Sequence, residues 1–180
     1  MELIDEEEAK TLAQTTSDAE VIANLIIDNR EWVRGCLAVN PHLNIENRRS
    51  LAKDGHRIVR SLTAASSFTP LEILVQLGHD PNWRVRYMVA FGKNLATVKA
   101  LLSYKFATPQ PYESILERLF EIVGEEKKND GGASQELQVL VVNAYNKFSE
   151  LNSDLTLQVE LRKKVKEICK DSSLSQMIRA

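Results

Sequence analysis

Residues 20–38 (EVIANLIIDNREWVRGCLA), 46–64 (ENRRSLAKDGHRIVRSLTA) and 72–90 (EILVQLGHDPNWRVRYMVA) are three copies of one pattern. Aligned, Glu-x4-Leu-x2-Asp-x4-Val-Arg-x3-Ala falls first on Glu20, Leu25, Asp28, Val33, Arg34 and Ala38. It falls next on Glu46, Leu51, Asp54, Val59, Arg60 and Ala64, and then on Glu72, Leu77, Asp80, Val85, Arg86 and Ala90. Six columns thus recur every 26 residues without an insertion. Self-similarity at such a period marks a repeat architecture. A unit this short cannot bury its own apolar face, so neighbouring units must stack.

Within a unit the pattern reads as two short helices, the first ending near the Leu and the second starting at the Asp. Asp80-Pro81 shows why: an Asp side chain accepts from the open amides of a first turn, and a Pro just inside forfeits no hydrogen bond. Thr69-Pro70-Leu71-Glu72 opens the preceding helix in the same manner, with an acid in its first turn. Leu71, Leu74, Val75 and Leu77 then supply one buried side, and Val85, Val89 and Ala90 the other. The expected fold is all-α: a right-handed α-solenoid of helical repeats with a C-terminal helical cap.

The run Asp80-Pro81-Asn82-Trp83-Arg84-Val85-Arg86 through Val89-Ala90, with Asn40-Pro41 and Thr69-Pro70-Leu71-Glu72-Ile73-Leu74, resembles the leucine-rich repeat variant family and, more loosely, HEAT repeats. The resemblance covers about residues 17–93. It implies short paired helices that curve into a superhelix, and it implies little about function, because such repeats bind very different things. Two departures matter. The 26-residue unit is slightly longer than the usual variant repeat and leans toward a HEAT-like helix pair. The family's founding member is associated with a cysteine-bound iron–sulfur cluster, and Cys36 and Cys169 form no cluster that could hold one.

Working outward, residues 1–16 form an acidic N-terminal segment in which Asp5 to Glu8 reads as a solvated end. Residues 17–104 hold the three repeats and a degraded fourth, whose first helix carries Leu95, Val98, Leu101 and Leu102. Residues 105–180 form the helical cap within the same structural unit. There, Thr108-Pro109-Gln110-Pro111 breaks the chain before a helix carrying Tyr112, Ile115, Leu116, Leu119, Ile122 and Val123. Gly124 is its expected stop, and 125–133 (EEKKNDGGA) an expected mobile loop. Two further helices follow, one on Leu137, Leu140, Val141, Ala144, Phe148 and Leu151, the other on Leu157, Leu161, Val165 and Ile168. Capping the open end keeps a stack from polymerising.

Charge is distributed unevenly along the chain. Residues 1–27 carry seven acids and one base, residues 28–93 ten bases and six acids, and the remainder twelve of each. The repeats are mildly basic beside an acidic start. No apolar run reaches the length of a membrane span and the start is no signal peptide, so the chain reads as cytoplasmic, with no membrane partner. The two cysteines, far apart, read as small buried hydrophobes in a reducing compartment.

Motifs of catalysis are missing: there is no Gly-rich phosphate loop, Gly-x-Ser-x-Gly elbow, His-Glu-x-x-His or dinucleotide fingerprint. His42, His56 and His79 occupy different repeat positions at no metal-ligand spacing. The chain is therefore expected to be no enzyme and to need no metal or small-molecule cofactor. Binding is the remaining class. Asp28, Asp54 and Asp80 read as helix caps. Arg34, Arg60 and Arg86 read either as a ladder to the Asp of a neighbouring unit or as a row facing a ligand. Trp32 and Trp83 lie one column out of register, so one of them is expected to be exposed beside Arg30, Arg34, Arg84 and Arg86, the composition of a binding hot spot. Arg48, Arg49, Lys53 and Arg57 form the densest basic group.

The leading expectation is a module that grips a protein partner on the concave face of the stack, as an adaptor, regulator or inhibitor, with a bacterial immunity-type protein as a narrower version. The alternative is nucleic-acid binding along the Arg row and basic group, in the manner of HEAT-like DNA glycosylases. The sequence pI of about 6.0 falls short of the basic footprint that such binding requires.

Overall fold

A computed structural model describes residues 5–130, 132–170 and 173–179. The first four residues of the acidic segment, and Gly131 of the expected loop, lie outside them. Among the described residues all regular structure is helical. Two compact units are present, one ending at Gly92 and the other starting at Lys93.

The first unit contains α1 (Glu6–Thr15), α2 (Ala19–Leu25), α3 (Glu31–Leu37), α4 (Ile45–Ala52), α5 (Arg57–Ala65), α6 (Leu71–Leu77) and α7 (Trp83–Tyr87). Helix starts keep the sequence period: Ala19, Ile45 and Leu71 open the first helix of each pair, and Glu31, Arg57 and Trp83 the second. The second helices pack side by side, α3 on α5 and α5 on α7, and α1 packs on the free flank of α3. The charge run at the start is thus the exposed first turn of α1, capped by Asp5, while Ala9 and Ala13 are fully buried and anchor the helix.

Two apolar clusters fill the unit. One holds Ile22, Leu25, Val33, Leu37, Leu51 and Val59; the other holds Ile73, Leu77, Val85 and Val89. The Leu and Val columns of the repeat are buried in every copy. At roughly 1.5–3 kcal/mol for each fully buried Leu or Val, those columns alone outweigh any surface interaction in the unit.

The Asp column departs from the helix-cap expectation. Each second helix starts later, with Arg30, His56 and Asn82 in the cap position. Pro81 accordingly precedes the cap instead of opening the helix. Asp28, Asp54 and Asp80 each accept the backbone N–H of that cap residue, two positions on, at 2.7–2.8 Å. The carboxylate shapes the turn that enters the helix, a local side-chain-to-backbone bond of the Asx type. Gly92, the last residue of the unit, has φ of 64°, a left-handed conformation that favours glycine.

The second unit contains α8 (Leu95–Ser103), α9 (Gln110–Asp130), α10 (Gln135–Leu151), α11 (Leu155–Ile168) and a short 3-10 helix at Ser173–Met177. Helix α8, expected from the sequence to be the first helix of a degraded fourth repeat, packs on α9 within this unit. Leu116 and Leu119 of α9 and Val141 and Phe148 of α10 are buried here, where α9 packs on α10. Tyr112 closes the α8–α9 turn: its hydroxyl accepts from the Phe106 N–H at 2.9 Å and donates to the Tyr104 carbonyl at 3.1 Å. Helix α9 does not stop at Gly124 but runs on to Asp130. A glycine costs a helix only about 1 kcal/mol relative to Ala, and burial of Ile122 and Val123 with the Arg118–Glu121 and Arg118–Glu125 ion pairs offsets it.

Among the described residues no helix is long and apolar enough to cross a membrane. Both cysteines are free thiols; Cys169 is buried and Cys36 half-buried, and burial pushes both thiols up from their ordinary pKa.

Candidate functional site

The nine side chains singled out in the sequence divide into those that the fold consumes and those that it presents. Arg34 reaches from α3 to the turn before α5 and holds Asp54 with two of its three guanidinium nitrogens, Nε to Oδ2 at 2.6 Å and Nη2 to Oδ1 at 3.1 Å. One unit later Arg60 holds Asp80 with the same atoms at the same distances. The remaining arm of each Arg donates to the backbone carbonyl of the Asp in its own unit, Asp28 and Asp54 respectively. Each Arg therefore ties the turn of its own repeat to the turn of the next.

These pairs are only 6–16% exposed, so water screens them weakly. Burial pushes the Asp54 carboxyl up, but hydrogen bonds from Arg34 and from the His56 N–H outweigh it, and the group sits below its ordinary value. Asp28 is lowered too, chiefly by its hydrogen bond from Arg30. Arg86 donates to the carbonyls of Asp80 and Pro81. The next position in the Asp column is Phe106.

Three more candidates are occupied. Arg48 is buried, donates to the Asn40 carbonyl at 2.8 Å and lies 5.6 Å from the centre of the Phe68 ring. Arg49 is ion-paired with Glu46 and Glu72. Trp32 packs on the core, with Lys10 and Arg30 over its ring at 5.9 and 5.1 Å.

The other three converge. Arg57 and Ile58 of α5 face Trp83 and Arg84 of α7 across a cleft of about 510 Å³, with Leu62 and Met88 also in its wall. Trp83 is 55% exposed and Ile58 44%, large fractions for such side chains. The Arg84 guanidinium lies 5.5 Å from the Trp83 ring centre, within cation–π range. Among the described residues neither Arg57 nor Arg84 forms an ion pair.

Periodicity explains why this junction is open and the preceding one shut. The cleft residues occupy four columns of the repeat that vary: Glu31, Arg57, Trp83; Trp32, Ile58, Arg84; Gly35, Ser61, Tyr87; and Cys36, Leu62, Met88. Between α3 and α5, Leu62 lies directly on Gly35, so close that a Cβ there would stand 2.7 Å from Leu62 Cδ1. One unit on, the position of Gly35 is taken by Ser61, and the helices are not closed over it. Sequence reasoning reached Trp83, Arg84 and Arg57 but missed Ile58, Leu62 and Met88. The signal that identifies them is variation inside an otherwise constant repeat.

Among the described residues no group of three or more His, Cys, Asp and Glu side chains could hold a metal ion. No protein-family model matches the chain, and no curated protein or solved structure matches it.

Proposed function

We propose that the chain is a non-enzymatic helical-repeat module, an α-solenoid of HEAT-like pairs closed by a helical cap, that binds a protein partner at the α5–α7 cleft as an adaptor, regulator or inhibitor. The observation that carries this reading is the cleft itself: an exposed Trp and an exposed Ile over an apolar wall, flanked by two arginines without a carboxylate partner among the described residues. Trp and Arg dominate the energetics of protein interfaces, and a monomer gains nothing by leaving them open.

The nucleic-acid alternative loses most of the residues on which it rested. Arg34 and Arg60 are spent on aspartates, Arg49 on glutamates, and Arg48 is buried. The exposed cations left in the repeats, Lys53, Arg57 and Arg84, are too few to track a phosphate backbone with the affinity and salt dependence of a dedicated binder.

The test is affinity capture from the cell of origin with the full chain, with and without nuclease. A protein partner should be retained after nuclease and lost with Trp83→Ala and Ile58→Ala, while Arg49→Ala, outside the cleft, keeps it. Recovery that ignores Trp83 and Ile58 counts against the cleft.

A further inference from the structure

We infer that the α5–α7 cleft takes a short acidic segment of another protein, which seats one bulky apolar side chain against Ile58, Leu62 and Met88 and places carboxylates on Arg57 and Arg84. The inference rests on the protein-binding reading above and adds the chemistry of the partner.

Charge accounting across the first unit points to acid. Arg30 is paired with Asp28, Arg34 with Asp54, Arg60 with Asp80, and Arg49 with two glutamates. Arg48 is buried on backbone carbonyls, and Arg86 donates to two of them. Arg57 and Arg84 have no such acid among the described residues, and both are exposed and line the cleft; Lys53, also exposed and without an ion pair among the described residues, does not line it. Among the described residues no Asp or Glu contributes to its wall. The acid of that column, Glu31, lies a full repeat away from Arg57. A basic segment would meet two uncompensated cations here, and a neutral one would leave them unanswered. A carboxylate satisfies a guanidinium in a two-pronged geometry that no other common side chain offers. The Arg84 guanidinium lies within cation–π range of the Trp83 ring, a contact with the ring face that does not consume its N–H donors.

Length points to a short segment. The lining residues run from Arg57 to Leu62 on α5 and from Trp83 on α7 to Met88 at its C-terminal cap. At 1.5 Å per residue that is about 7–8 Å of wall, the reach of roughly two extended residues or little more than one helical turn. Such a wall seats one anchor and its flanks, and a long amphipathic helix would leave most of its apolar face uncovered.

The experiment is selection of a random peptide library on the full-length chain, followed by titration of the winning synthetic peptide. The expected winners carry acids on both sides of a single Leu, Ile, Phe or Trp. Binding should weaken as salt rises and fall roughly 10-fold or more in Arg57→Glu/Arg84→Glu. Both residues are exposed, so the variant folds, which circular dichroism checks, and a peptide with lysines in place of the acids should bind it in preference to the parent chain. Winners without acids that Trp83→Ala abolishes would overturn the acidic partner and leave the cleft as a docking surface. Winners indifferent to Trp83→Ala, or none at all, overturn both. A fluorescent oligothymidylate that outcompetes the acidic peptide at Arg57 and Arg84 overturns the proposal in favour of nucleic acid.

Discussion

Arg34 and Asp54 illustrate how one pair of side chains can specify a junction. Each is committed three ways: the Arg to a neighbour's carboxylate by two bonds and to its own turn's carbonyl, and the Asp to two guanidinium nitrogens and a backbone N–H. Removing one partner strands the other in a place only 9–16% exposed. Arg34→Ala and Arg60→Ala should each cost about 2–4 kcal/mol in denaturant melts, and a double-mutant cycle of Arg34→Ala with Asp54→Asn should show coupling well above that of a surface pair. A loss below half a kcal/mol would reduce the ladder to decoration. Acid should act through the same groups. Asp28 and Asp54 are lower in the folded chain than in the unfolded one, so their contribution is complete above the ordinary carboxyl value of about 4 and is lost as pH falls through the folded values. The melting temperature should drop steeply below that value, and Asp54→Asn should flatten the drop.

Helices show where local signals stop being sufficient. The repeat's columns located every helix pair, since buried Leu and Val at fixed spacing leave few alternatives. The second helices start two or three residues later than the Asp column suggests, because an Asp reads as a cap where, as at Asp80-Pro81, it builds the turn before the cap. Gly124 misled for a different reason: a glycine signals a stop only when packing does not carry the helix past it. Two glycines in helices should therefore answer to Ala with opposite signs. At Gly124 an added Cβ meets nothing within 4 Å, so Ala should stabilise by about 0.5–1 kcal/mol. At Gly35 the same gain is set against Leu62 Cδ1 at 2.7 Å. The Leu must move out of a packed junction, so Gly35→Ala should destabilise by about 1 kcal/mol net. Thermal melts of both variants decide it.

Across the whole chain, what was legible was what repeats. The all-helical class and the buried columns follow from a 26-residue period, which also put Asp and Arg in register but left open whether the Arg row reached a neighbouring Asp or a ligand. Exposure was not legible in the same way. Arg48 and Arg57 looked alike in one basic group, yet one is buried under Phe68 and the other stands at the cleft. Trp32 and Trp83 differ because α1 brings Lys10 over the first, while the second faces the cleft with Arg84. Long-range placement of α1, and the single methyl of Leu62 on Gly35, are absent from any local window. The central claim is that the cleft beside Trp83 is where a partner sits. It is tested most directly by placing a photo-crosslinking amino acid at position 58 or 84, and in a parallel chain at the exposed Leu155 of α11, then irradiating in the native cell. One protein captured from both cleft positions and not from 155 is the predicted result; capture from 155 alone, or none from the cleft, would contradict the account.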